Sequence, residues 1–92
     1  MALLDLLGRR WVLRLLWELR DDSLGFRELQ LRCDLISPSV LSQRLRELTD
    51  AGALEAIEGS YRLTPEGREL LKLLAPLRGW AERWARRAPR SS

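Results

Sequence analysis

Leucine sets the rhythm of this chain. Leu3, Leu6 and Leu7 stand at i, i+3 and i+4, the spacing of one helix face, and Gly8 stops the run. A second helix is predicted from about Arg10 to Arg20, with Val12, Leu15, Leu16 and Leu19 on its inner stripe. Trp11, Leu13 and Trp17 widen that stripe beyond one face, which marks the helix as central or as shared with a neighbour. Asp21, Asp22, Ser23 and Gly25 read as a turn. A third helix then spans about Phe26 to Cys33, burying Phe26 and Leu29, until Asp34, Leu35 and Ile36 break it.

The fourth helix, Pro38 to Ala51, carries the clearest start signal. Ser37 offers an N-cap oxygen, and Pro38 takes the first helical position, where its missing N–H costs nothing. Ile36 and Leu41 are spaced as a hydrophobic staple. Leu41, Leu45 and Leu48 form the inner stripe, and Gly52 ends the helix. The period then changes from 3.6 to 2. Two strands are predicted, Leu54 to Ile57 and Ser60 to Leu63, around a tight turn at Glu58 and Gly59. Thr64 and Pro65 open a last helix whose stripe runs Leu70, Leu73, Leu74, Leu77, Trp80, Ala81 and Trp84. Pro76 lies inside it and should bend it. Residues 88–92 hold no core residue and are expected to form a mobile basic tail. Helix, helix, helix, helix, hairpin, helix is the layout of a mainly α winged helix-turn-helix, here one domain over residues 1–87.

Composition narrows what such a domain does. Its 92 residues, 46% hydrophobic and 32% charged, suit one soluble globular unit. No apolar run nears the roughly 20 residues of a membrane span. The opening Met-Ala-Leu-Leu-Asp lacks the basic segment of a secretion signal, so a cytoplasmic setting is expected. Histidine is absent and Cys33 is the single cysteine, which leaves no intrachain disulfide, no His/Cys metal set and no common general base. Glu66, Glu69 and Glu82 read as helix-surface charges, and no phosphate loop is visible. No enzyme and no cofactor are expected. Cys33 sits between Arg32 and Asp34 and reads as a buried structural cysteine ahead of a redox switch. The net charge of +3 suits a polyanion, and nearly all positive charge is arginine, the better fork for phosphate and guanine edges.

With Leu41, Leu45 and Leu48 inward, the fourth helix turns Ser39, Ser42, Gln43, Arg46 and Asp50 outward, with Arg44 and Glu47 on the flanks. Gln pairs with adenine, Arg with guanine, and Ser reaches base or phosphate. A plain solvated helix face has the same composition. The run ISPSVLSQRLRELTDAGAL, preceded by LLGRRWVLRLLWELRD and FRELQ and followed by YRLTPEGREL and GWAERW, resembles the HxlR-type winged-helix transcription regulators from Leu4 to about Trp84. The resemblance implies a dimeric bacterial or archaeal regulator of duplex DNA whose fourth helix reads the major groove. By position it implies DNA contacts at Ser37, Ser39, Ser42, Gln43, Arg44 and Arg46, with Arg27 ahead of them and Arg62 on the wing. The chain departs from the family in its short hairpin with Glu55 and Glu58, and in Ser39, where a basic residue is common. The oxidant-sensing cysteine that some members carry ahead of the first helix has no counterpart here.

Two functions follow. One is a sequence-specific regulator of double-stranded DNA, a repressor or local autoregulator. The other is a winged-helix module that binds protein and has little DNA affinity, a reading the acidic wing favours. Trp11, Trp17, Trp80 and Trp84 read as packing or dimer contacts ahead of an effector pocket, and the identity of any small-molecule effector is open. Leu3, Leu6 and Leu7 at one end, with Leu77, Trp80 and Trp84 at the other, are expected to lie outside the three-helix core. Burying each is worth roughly 1.5–3 kcal/mol, so a homodimer through the terminal helices is expected, the alternative being a last helix folded back on its own domain.

Overall fold

The leucine rhythm becomes helices packed on a small sheet. The computed structural model describes the backbone of residues 3–87 and the side chains of residues 5–87. The tail expected over residues 88–92 and the side chain of Leu3 lie outside the described residues. Among these residues the elements run α1 (Leu3–Leu7), α2 (Val12–Glu18), β1 (Leu24–Gly25), α3 (Phe26–Arg32), α4 (Pro38–Asp50), β2 (Leu54–Ile57), β3 (Ser60–Leu63) and α5 (Pro65–Arg87).

One core joins them. Leu15, Leu16 and Leu19 of the α2 segment, Leu29 of α3, and Leu41, Leu45 and Leu48 of α4 are buried with Leu54 and Leu63 of the sheet. Leu6 belongs to the same core, with 3% of its surface exposed, and Leu7 packs against it. This corrects the expectation that both lie outside it: α1 is folded onto α2, so its inner face is already covered. α2 is shorter than its periodicity predicts. Trp11 adopts a left-handed φ of 78°, so no helix can run through it from Arg10. At the other end the Arg20 guanidinium donates to the Trp17 carbonyl at 2.9 Å, taking an acceptor the next turn would need.

The turn between α3 and α4 is built from two left-handed residues, Asp34 and Leu35, with φ of 55° and 59°. Leu35 N–H donates to the Gln30 carbonyl at 2.8 Å, which closes α3 in a Schellman arrangement. Asp tolerates this region but Leu does not, at a cost of about 1–2 kcal/mol. The Gln30 side chain offsets part of it by donating to the Ile36 carbonyl at 3.1 Å. Ser37 Oγ then accepts from Val40 N–H at 3.2 Å, as an N-cap should, and Ile36 and Leu41 are both buried. α4 ends in a second Schellman arrangement, with Gly52 at φ 83° and Ala53 N–H bonded to the Leu48 carbonyl at 3.0 Å.

β2 and β3 pair antiparallel from Leu54↔Leu63 to Ile57↔Ser60. Glu58 and Gly59 both have positive φ, 50° and 82°, the signature of a type I′ turn. β1, read from sequence as part of a turn, adds an outer strand through Leu24↔Tyr61 and Gly25↔Ser60, giving the order β1-β3-β2. Two residues are too few to display a period of 2. Thr64 caps α5 by accepting from Gly67 N–H at 3.0 Å. The helix continues through Pro76 for 23 residues; its first turns pack Leu70, Leu71 and Leu74 against the core.

Gly67 and Gly79 make opposite predictions on this one helix. A Cβ at Gly67 would overlap the Ala53 carbonyl, and neither backbone can yield. A Cβ at Gly79 meets only the flexible Arg83 Nη1, at 3.5 Å. Gly67→Ala should lower unfolding free energy by about 3 kcal/mol, and Gly79→Ala should raise it by about 0.5–1 kcal/mol. Urea denaturation of both variants checks the pair.

Candidate nucleic-acid interface

Burial of Leu41, Leu45 and Leu48 fixes the rotation of α4, and the opposite side faces solvent. Ser39, Ser42, Gln43, Arg46 and Asp50 are exposed there, in the phase expected. Arg27, in the first turn of α3, is exposed as well. Among the described residues neither Arg27 nor Arg46 takes part in an ion pair. Their N–H donors are open to an anionic partner. Ser37 stands at the head of the row, but its Oγ is committed to the cap and lies 3.5 Å from Ser39 Oγ.

Two of the expected contact residues are engaged within the chain. Arg44 is largely covered: Nε donates to the Arg10 carbonyl at 3.1 Å and Nη1 to Glu47 at 2.6 Å. Glu47 also takes Arg9 at 3.1 Å. Arg44 thus ties α4 to the loop before α2, with its charge neutralised. Arg62 is held by Glu55 through contacts of 2.9 and 2.7 Å. Strand alternation puts the Glu55↔Arg62 pair on the sheet face opposite the buried Leu54↔Leu63 pair, away from α4. Glu58 adds a further negative charge to the turn.

The sheet offers a different residue to that side. Tyr61 shares its face with Leu63 and is half-buried. With Phe26, Ser42, Arg46, Asp50 and Ala56 it lines a cleft of about 330 Å³ between α4 and the sheet. Sequence reasoning passed over Tyr61, although the period of 2 with Leu63 inward was enough to place it.

Cys33 caps α3 from within the core and is fully buried. Burial pushes its thiol above the ordinary value of 9.0, against the opposing pull of Arg14. The tryptophans divide. Trp11 is half-buried against the core, and Trp17 carries the Arg20 and Arg78 guanidinium groups at 4.1 and 4.4 Å from its ring centre. Trp80 and Trp84 are 49% and 54% exposed on the outer half of α5.

A helix with an open outer face set behind a tight turn, with a hairpin beside it, defines a winged helix-turn-helix protein. The family model for HxlR-like helix-turn-helix proteins matches residues 6–89, and the chain belongs to that family. The uncharacterized HTH-type transcriptional regulator YvaP of Bacillus subtilis is 31% identical over 87% of this chain and 81% of its own length. A possible HxlR family transcriptional factor from Thermoplasma volcanium superposes with a TM-score of 0.86 at 26% identity, over 94% of this chain and 84% of that one. Quinone-bound YodB from B. subtilis does so with a TM-score of 0.79 at 30% identity, over 86% and 90%.

Full burial and a thiol pushed above its ordinary value predict that Cys33 reacts slowly in the folded chain. In the native chain at pH 8, Ellman's reagent should label it at least about a hundredfold more slowly than in urea-unfolded chain, since labelling needs the core to open. The raised thiol pKa also has a sign. It stabilises the fold fully below 9.0, and that contribution is lost as pH rises toward the folded value. The stability advantage of the wild type over Cys33→Ala should therefore shrink between pH 8 and pH 10 in urea titrations.

Proposed function

We propose that this chain is a sequence-specific, double-stranded DNA-binding transcriptional regulator, a repressor or local autoregulator. It works as a homodimer in the cytoplasm, with α4 in the major groove. The carrying observation is the exposed row Ser39, Ser42, Gln43 and Arg46, which holds no carboxylate before Asp50 and ends on an arginine without an ion-pair partner. Gln43 and Arg46 take the base-reading roles, while Ser39 and Ser42 allow the helix to approach closely. Arg27 takes a phosphate at the edge of the groove. Membership of a helix-turn-helix family and the likeness to named transcriptional regulators support the reading. It assigns Arg44 and Arg62 structural pairing and gives the wing little share in binding.

Dimerisation draws support from α5. Leu73, Leu77, Trp80 and Trp84 recur at i, i+4, i+7 and i+11 and are 73%, 48%, 49% and 54% exposed. A row this apolar is costly in water, and a two-fold axis buries it against itself. The paired α4 helices then meet half-sites about 34 Å apart.

On a duplex selected from random DNA, Gln43→Ala and Arg46→Ala should each weaken binding by about 1–3 kcal/mol and relax preference at one base per half-site. Arg27→Ala should weaken specific and nonspecific binding alike. Arg44→Ala should lower stability and leave base preference unchanged. Affinity measured by fluorescence anisotropy should fall steeply with salt. Salt-insensitive, negligible duplex binding would instead favour the protein-binding module that the acidic wing suggests. In sedimentation, Trp80→Glu with Trp84→Glu should convert a micromolar dimer into a monomer. A wild-type chain that remains a folded monomer at high concentration would remove the dimer from the proposal.

A further inference from the structure

Between α2 and α5 lies a groove of about 320 Å³, within the range of small-molecule sites. Leu13 of α2 and Leu71 and Leu74 of α5 line it, and Trp17 forms an aromatic wall. Its charged lining residues are Arg14 and Arg78, and no carboxylate lines it. Leu71, Leu74 and Arg78 follow i, i+3 and i+7 on a face of α5 beside the exposed Leu73–Trp84 row, and Leu77 belongs to both, so a partner seated on that row borders the groove at Leu77 while Leu13, Trp17 and Arg78 line its far side. An apolar lining whose charged side chains are both cationic is complementary to a hydrophobic anion.

The two arginines differ in how firmly they are held. Arg78 stacks at 4.4 Å from the centre of the Trp17 ring and meets Glu82 at 3.5 Å, with both members of that pair half-exposed. A carboxylate can take its planar fork in two parallel hydrogen bonds and displace so loose a partner. Arg14 is firmly engaged. Its Nε donates to Glu18 at 2.8 Å and its Nη2 to the Arg32 carbonyl at 2.6 Å, and its Nη1 lies 3.8 Å from Asp34. The same guanidinium therefore lines the groove and holds the turn that leads into α4.

We propose that the α2–α5 groove binds a small hydrophobic monocarboxylate, its apolar body against Trp17 and the leucines and its carboxylate on Arg78, with Arg14 relaying occupancy to the turn before α4. Binding itself is independent of the proposed function; the relay rests on it. An anion beside Arg14 competes with the Arg32 carbonyl and Asp34 for its donors, loosens the turn and weakens DNA binding.

Calorimetric titration of the full chain with 2-naphthoate and with its neutral isostere 2-naphthamide tests the site. Naphthoate should bind one per chain and about tenfold or more tighter than the amide. Arg78→Gln, at a half-exposed position, should reduce naphthoate to the level of the amide and leave the amide unchanged. Leu13→Glu should repel naphthoate while urea denaturation reports an intact fold. Equal affinity for acid and amide, an unaffected Arg78→Gln variant, or no binding at millimolar naphthoate would overturn the site. Saturating naphthoate should lower affinity for a selected duplex about fivefold or more. Naphthoate binding without that change would overturn the relay, and naphthoate binding by a chain that binds no duplex would count against the DNA-binding reading while the site stands.

Discussion

The fold turns on the backbone of a single residue, Ala53. Its N–H closes the end of α4 on the Leu48 carbonyl at 3.0 Å, and its carbonyl accepts from Thr64 N–H at 3.0 Å. Thr64 also donates its hydroxyl to the Gly52 carbonyl and caps α5. Gly67 lies against the Ala53 carbonyl so closely that no side chain fits between them. The end of the reading helix, the base of the hairpin and the start of α5 thus share one hydrogen-bonded joint. Buried leucines hold these elements together but are non-directional; the joint fixes their angles. The proposed function needs α4 held at a defined angle to the rest of its domain.

The head of α4 is fixed by different means. The turn of Asp34 and Leu35 is strained, with two consecutive left-handed residues, and it persists because several bonds over-determine it. The Leu35 N–H, the Gln30 side chain and the Arg14 guanidinium all bind backbone within or beside the turn. Arg14 is the long-range member of that set, reaching Arg32 from 18 positions away. A strained segment held partly by one part-exposed arginine is easier to bias than a relaxed one. The relay proposed for the α2–α5 groove acts there, at the head of α4 and not at its end.

Local chemistry made most of the fold legible. The pairs Ser37–Pro38 and Thr64–Pro65 mark the starts of α4 and α5 to the residue, and the hairpin strands fall where alternation puts them. Errors arose where a backbone dihedral, a side chain bonding a carbonyl, or the packing of another element decided the outcome. The ends of α2 depend on the backbone at Trp11 and on Arg20, and Leu6 is buried because α1 folds back onto α2. For the site, phase alone identified which residues of α4 face outward. It could not reveal that Arg44 bonds a carbonyl 34 positions away or that Glu55 claims Arg62 across the hairpin.

Those pairings change what the net charge of +3 means. Spread evenly, so small an excess would create little field anywhere. The carboxylates are instead placed beside arginines away from the reading face: Glu47 with Arg9 and Arg44, Glu18 with Arg14 and Arg32, and Glu55 with Arg62. Where such a pair is exposed, as at Glu55–Arg62, it adds little stability, typically under about 1 kcal/mol. The larger effect of the pairs is spatial. By neutralising the flanks and the wing they leave Arg27 and Arg46 as the cations without an ion pair among the described residues beside α4, with Asp50 the carboxylate on the same face. On the proposed function, base and phosphate recognition at that face depends on few charges, which favours discrimination by Gln43, Arg46 and helix placement over broad electrostatic attraction.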